Sequence, residues 1–317
     1  MDALLDVLDV ALLASTVRLV APILLAALGG LLSERAGIFN ISLEGLMLVG
    51  AFFAVAGAFW TGEPLAGLAL AVLAATLLAL LFAVVVVDLG GDAIVAGLAV
   101  NILALGLTSY LVRPVFGVQG SFYDPDLRGL PDIAIPVIDD VPFLGPLLSG
   151  YSPLVYAAVV LAVAVQVWLF RHPSGIRLRA VGESPVAAAS AGIHVRRVRY
   201  AVLLVTGVLC GLAGAQLSIS LVTQFVLGMT AGRGFIALVA VMFGRAHPIG
   251  VLAASALFGF MYALTLRVQG TDVPPQFIAM LPYAATVVVL VLVAVRQRRV
   301  RARSALDEAA VEELPAG

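Results

Sequence analysis

An all-α, polytopic transmembrane helical bundle of about nine spans, with eight to ten possible, is the fold this sequence predicts. Three observations lead there. The 317 residues are 62% hydrophobic and only 12% charged, with a mean hydropathy of +1.12. Soluble domains are about half apolar and a quarter charged. The apolar runs are about 18–24 residues long, the length of helix that crosses a hydrocarbon core. Finally, the arginines collect in alternate connections, as the positive-inside rule requires.

Residues 1–10 read as an N-terminal external segment. Asp2, Asp6 and Asp9 stand where a signal peptide would be basic, and no small-residue cleavage site follows. The transmembrane domain runs over 11–296, with spans at 11–32, 37–60, 65–87, 93–112, 152–170, 200–221, 227–244, 248–267 and 276–295. Between the fifth and sixth, a connection at 171–199 carries Arg171, Arg177, Arg179, Arg196, Arg197 and Arg199. The tail at 297–317, with the residue before it, carries Arg296, Arg298, Arg299, Arg301 and Arg303. With Arg35 and Arg245, that side holds 13 of the 18 basic residues, so it reads as cytoplasmic, and the N-terminus as external. The long external connection at 113–151 is proline-rich and anionic, with Asp124, Asp126, Asp132, Asp139 and Asp140. It reads as irregular with short helices at most, either capping a pathway, meeting an external partner, or simply solvated. The arginines of the tail suit anchoring against anionic membrane lipid.

Several function classes fall away on residue content. All 18 basic residues are arginine, so a phosphate-binding loop of the form GxxxxGK[ST] cannot be written in this chain. If transport is ATP-driven, another subunit hydrolyses the ATP. Cys210 is the only cysteine, which excludes an intrachain disulfide and a cysteine zinc site, and its glycine-rich apolar setting reads as packed core. His172, His194 and His247 have no metal-ligand spacing, so no metal and no cofactor is expected in this chain. The net charge of −1 and the lack of a basic-aromatic surface give no sign of nucleic acid as a partner.

The cytoplasmic connection carries its own start and stop signals in GESPVAAASAGI, residues 182–193. Ser184 suits an N-cap, and Pro185 the first helical position, where a missing N–H costs nothing. Gly192 suits the left-handed closing position. This encodes a helix of about two turns with few bulky side chains, either an ordinary interfacial helix or one that inserts into a groove of another protein.

With these residues in view, the chain resembles the membrane permease subunits of ATP-binding-cassette importers, in the branched-chain amino acid and simple sugar permease superfamily. SERAGIFNISLEGLMLVGAF, RAVGESPVAAASAGI and GRGFIALVAVMFGRAHPIG occur in the family's order and are most similar to the nucleoside (purine) permeases that work with basic membrane lipoprotein-type binding proteins. The resemblance covers about residues 10–296. It implies a type II importer-like permease in a bacterial plasma membrane, with a cytoplasmic ATP-binding subunit, a second permease subunit (a paralogue, or a second copy) and an external substrate-binding lipoprotein. It also implies that Glu183, Ser184, Pro185, Ala187, Ala188 and Gly192 belong to a coupling helix that docks into the ATPase. His247 stands where relatives often carry a larger aromatic, a departure confined to one turn.

Polar residues inside the spans are candidates for the substrate pathway: Asn40, Glu44, Asn101 and Gln216. An ionisable group at a helix centre costs about 2.5–3.5 kcal/mol on insertion scales, so it faces the bundle interior or a wet cavity. Asn40 and Glu44, four apart, would share one helical face, and a nucleoside's hydroxyls and base edges suit an amide and a carboxylate. Alternatively, Glu44 pairs with an arginine or backbone inside the bundle. Asn101 suits interhelical hydrogen bonding or pathway lining equally. Gln216, Ser218, Ser220, Thr223 and Gln224 form a polar stripe read as a hydrated vestibule or a helix-end transition. Arg233 either bridges to Glu44 or snorkels outward.

The expected function is therefore nucleoside uptake through a permease driven by a separate ATPase, with a ribose-like simple sugar as the alternative substrate. A stand-alone ion-coupled transporter would use the internal carboxylate but leave the capped helix without a purpose. An intramembrane enzyme would need convergent histidine, serine or paired acidic residues at one depth, and Glu44 has no acidic partner in mid-span.

Overall fold

The computed structural model describes residues 10–136 and 145–268, together with Met280 and Ala284. The predicted ninth span at 276–295, apart from those two residues, and the tail at 297–317 lie outside the described residues. Residues 1–263 form one compact unit and 264–317 another. The described part of the second is the last turn of one helix and the pair joined by Ala284 N–H donating to Met280 O.

Along the chain, α1 (Val10–Arg35) leads to α2 (Leu43–Thr61) and α3 (Pro64–Ala83), which continues as a π-helical turn, Val84–Asp88. Then come α4 (Ala93–Phe116), the strand β1 (Ser121–Tyr123), the single turn α5 (Gly145–Leu148) and α6 (Pro153–Arg171). Two short helices follow, α7 (Pro173–Glu183) and α8 (Pro185–Ser190). The remainder is α9 (Val195–Ala215) with its π turn Gln216–Leu221, β2 (Gln224–Val226), α10 (Arg233–Phe243) and α11 (Pro248–Val268). Among the described residues, 7 helices are long and apolar enough to cross a membrane: α1, α2, α3, α4, α6, α9 and α11.

Three sequence expectations need correction. The span predicted at 37–60 does not begin as a helix, because Gly37 takes a left-handed φ of 75° and the Asn40 side chain captures the next turn. Its Oδ1 accepts from Ser42 N at 2.9 Å and from Ser42 Oγ at 2.6 Å, a local bond that competes with helix formation. Asn40 and Glu44 therefore do not share a helical face. The span predicted at 227–244 is broken: left-handed Gly228 and Gly232 delay the helix until Arg233. At 11 residues it extends only about 16 Å, half a hydrocarbon core. The connection at 113–151, read as helical at most, contributes β1, which pairs antiparallel with β2 in the register Ser121↔Val226, Phe122↔Phe225.

The core lies where α9 packs along α1, α2 and α3. Small residues permit this, as they do generally between membrane helices. A Cβ on Gly50 would lie 2.8 Å from the Gly211 Cα, and one on Gly211 would lie 2.8 Å from the Val72 Cα. Two buried hydroxyls add to the seam: Ser33 Oγ and Thr206 Oγ1 are 3.0 Å apart. By contrast, α4 and α6 bury little and expose apolar rows, with Ile102 on α4 and Val160 on α6 each 65% exposed. At the far end of the bundle, Phe116 stacks on Phe122 at 4.1 Å and Phe52 meets Phe225 edge-on at 5.1 Å, which pins the ribbon to α2 and α4.

Candidate functional site

The broken helices meet. At Gly232 the chain is left-handed and offers no capping side chain, so the first N–H groups of α10 need an acceptor from elsewhere. Glu44, on the first turn of α2, supplies it. Its Oε1 accepts from Gly232 N at 2.9 Å and from Thr230 Oγ1 at 2.6 Å, and its Oε2 accepts from Gly234 N at 2.7 Å. A carboxylate at a helix N-terminus also complements the helix dipole. Gly234 is small by necessity, since a Cβ there would run into the Glu44 backbone. Glu44 is thus the cap of α10, provided from another helix.

The other polar residues brace the same junction. Asn101 on α4 accepts from Gly45 N through Oδ1 at 2.8 Å and donates from Nδ2 to Ile41 O at 2.9 Å. It satisfies backbone groups on both sides of the start of α2. Asn40 is buried and holds the turn before it. Asn40, Glu44 and Asn101 are therefore brought together, within one turn of the head of α2. Gln216 is elsewhere: buried at the start of the π turn, it accepts from Ser152 Oγ at 2.7 Å. With Ser218 also buried and donating to Gly214 O, that part of the predicted stripe is packed interior rather than vestibule.

Arg233 does not bridge to Glu44. Its Nη1 donates to Met229 O at 3.1 Å and to Thr230 O at 3.3 Å, and the guanidinium lies 4.7 Å over the Tyr262 ring. It clamps the turn that Glu44 caps. Sequence reasoning missed Thr230, Gly232 and Gly234 as members of this site. The signal was present in TAGRGFIAL, an apolar helix opened by glycines with no Ser, Thr, Asp or Asn at the capping position.

On the side carrying most arginines, the sequence's capping signals fold as read. Ser184 Oγ accepts from Ala187 N at 3.3 Å, and Pro185 opens α8. At its end, Ile193 N donates to Ala188 O and Gly192 N to Ala189 O, with Gly192 at φ 79°, the double bond of a Schellman closure. Glu183 ends α7 and is exposed. The two alanines differ: Ala188 is buried, whereas Ala187 is exposed beside Val186, itself 78% exposed. Just before this helix, Gly182 packs against the backbone of Gly37. The segment 37–44 thus runs directly from the α7–α8 joint to the Glu44 cap. Arg35 Nε donates to Ala246 O at 2.7 Å and holds the same edge to the turn before α11.

No cluster of three or more metal-ligating side chains occurs among the described residues. Cys210 is buried, and His247 packs on Phe170 at 5.0 Å.

Comparison with known proteins gives a family and several relatives. Residues 12–295 match the family described as branched-chain amino acid transport system / permease component. The guanosine ABC transporter permease protein NupQ of Bacillus subtilis is 36% identical, over 87% of this chain and 89% of that one. The nucleoside ABC transporter permease protein NupC of Lactococcus lactis subsp. cremoris is also 36% identical, over 86% of this chain and 88% of its own. TsgC13 of Haloferax volcanii, provisionally described as a glucose ABC transporter permease protein, is 31% identical over 92% of this chain and 93% of its own.

Proposed function

Because the chain belongs to the branched-chain amino acid transport permease family, we propose that it is the membrane pathway subunit of an ATP-driven importer of nucleosides. It works in a bacterial inner membrane beside a second permease, with the N-terminus outside and the arginine-rich side in the cytoplasm. An external binding protein delivers the nucleoside, and a cytoplasmic ATPase receives α8. The observation that carries this reading is the engagement of Glu44. All three of its hydrogen bonds come from the chain's own donors, which suits a structural latch and not a carboxylate that exchanges protons or ions with a substrate. The driving force then has to come from outside the chain.

The geometry also supplies a route. Movement of the α7–α8 joint displaces Gly37 at its contact with Gly182, and the non-helical residues up to Ser42 carry that displacement to the head of α2. There Glu44 holds α10 by its first turn. Loosening or tightening this cap moves α10 and the turn at 227–232 relative to α2, where the short helix α10 begins.

The substrate class rests on the two relatives named for guanosine and nucleosides. A glucose-named relative favours a simple sugar as the second reading. Reconstitution of the chain with its ATPase, partner permease and binding lipoprotein in vesicles tests both. ATP-dependent uptake of labelled guanosine, with little uptake of ribose or glucose, is the expected result. Uptake that persists when the ATPase is omitted would overturn the importer reading, and sugar uptake without guanosine uptake would overturn the substrate.

A further inference from the structure

Asp88, Arg196 and Tyr200 form a cluster that the pathway described above does not use. Arg196 Nε and Nη2 donate to the two oxygens of Asp88 at 2.6 and 2.7 Å, a bidentate fork, and Tyr200 Oη donates to Asp88 Oδ2 at 2.6 Å. Arg196 and Tyr200 are four residues apart and so share one face of the first turns of α9. Arg196 follows the closing Gly192 of α8 by only a few residues. Asp88 is the last residue of the π turn that ends α3.

We infer that this cluster positions the coupling segment by tying the chain just after α8 to the end of α3; the inference rests on the proposed docking of α8. An exposed ion pair contributes little to folding stability, and Arg196 is 70% exposed. A bidentate fork does fix geometry, because two parallel bonds to one carboxylate allow a single relative orientation. Its anchor is a π turn, an element enriched at functional sites and at variance with the α-helical bonding around it. Leu89 N reaches Val84 O and Gly91 N reaches Val85 O, so the turn ends in a tight knot with Asp88 at its edge. α3 packs along both α9 and α2. A displacement of the α8–α9 connection therefore pulls on α3 as well as on Gly37, and the head of α2 is loaded from two sides.

The test is the ratio of guanosine taken up to ATP hydrolysed in vesicles containing the complete importer. Asp88→Asn and Arg196→Gln should each lower this ratio by about fivefold, the lower end of typical coupling between sites, with ATP hydrolysis and complex assembly retained. Tyr200→Phe, which removes one bond, should give an intermediate loss. The reversed pair Asp88→Arg with Arg196→Asp should recover much of the ratio. Single variants that keep the wild-type ratio, or a reversed pair no better than either single, would overturn the positioning role. Ala187→Trp on the exposed face of α8 is the control. If it uncouples transport and Asp88→Asn does not, only this inference fails; if Ala187→Trp also leaves transport unchanged, the docking of α8 fails and this inference with it.

Discussion

Replacing Glu44 by glutamine tests the latch while almost preserving shape. The amide oxygen can keep the bonds from Thr230 and Gly232. The amide NH₂ then faces the Gly234 N–H, which now donates to Oε2 at 2.7 Å, so two donors oppose each other. One bond to a charged acceptor is lost, worth about 1.5–3 kcal/mol, together with up to about 1 kcal/mol of helix-dipole complement. Hydrogen bonds inside membrane proteins average lower, about 0.6 kcal/mol, and a net loss of about 2 kcal/mol follows. Denaturant titration of the purified chain in detergent measures it. Gly234→Ala perturbs the same contact from the other side, because its Cβ meets the Glu44 backbone; overpacking of this kind costs about 1–3 kcal/mol. Residues in contact couple, so the double variant should lose less than the sum of the singles. A Glu44→Gln protein within about 0.5 kcal/mol of wild type, the range of uninvolved surface changes, and strictly additive with Gly234→Ala, would refute the latch.

Three further outcomes follow from other parts of the chain. Ala187→Trp should leave stability unchanged and abolish ATP-coupled uptake, whereas Ala188→Trp, at a position 4% exposed, should lower the yield of folded chain before any coupling is measured. Asn101→Leu strands Gly45 N–H and Ile41 C=O. It should destabilise by about 1–3 kcal/mol, the range for unpaired buried groups, read by the same titration, with assembly on the ATPase intact. Gly211→Val places side-chain atoms against Val72 and Ala71 and should cost about 1–3 kcal/mol as overpacking, visible as a lower thermal midpoint in detergent.

What could be read from the sequence was whatever is local in the chain. Hydropathy located the long helices because lipid imposes a length on each one separately. The boundaries of α8 were legible because Ser184, Pro185 and Gly192 act on backbone groups within a few residues of themselves. The break at 227–232 was not, since apolar residues continue through it and hydropathy sees no interruption; at 36–42 the bracketing Gly37 and Gly45 allow a broken helix or a close approach, and hydropathy does not choose between them. The partners of Glu44 were open for a different reason. The sequence allowed an arginine or backbone inside the bundle, but the actual donors lie 186 to 190 residues away. Only the fold shows that they are Thr230 and the backbone N–H groups of Gly232 and Gly234. Asp88 and Arg196, 108 residues apart, belong to the same category.

The π turn at Val84–Asp88 makes the length of α3 a matter of phase. Each residue of an α-helix advances about 100° around the axis, and a π turn accommodates one residue more than the α-helical winding it interrupts. Deleting one residue of α3 ahead of the turn, with the π turn kept, would swing Asp88 by about that angle, away from Arg196. The hydropathy of the span would hardly change, and the helix would still cross the bilayer. In this stretch, then, the number of apolar residues matters as well as their hydropathy.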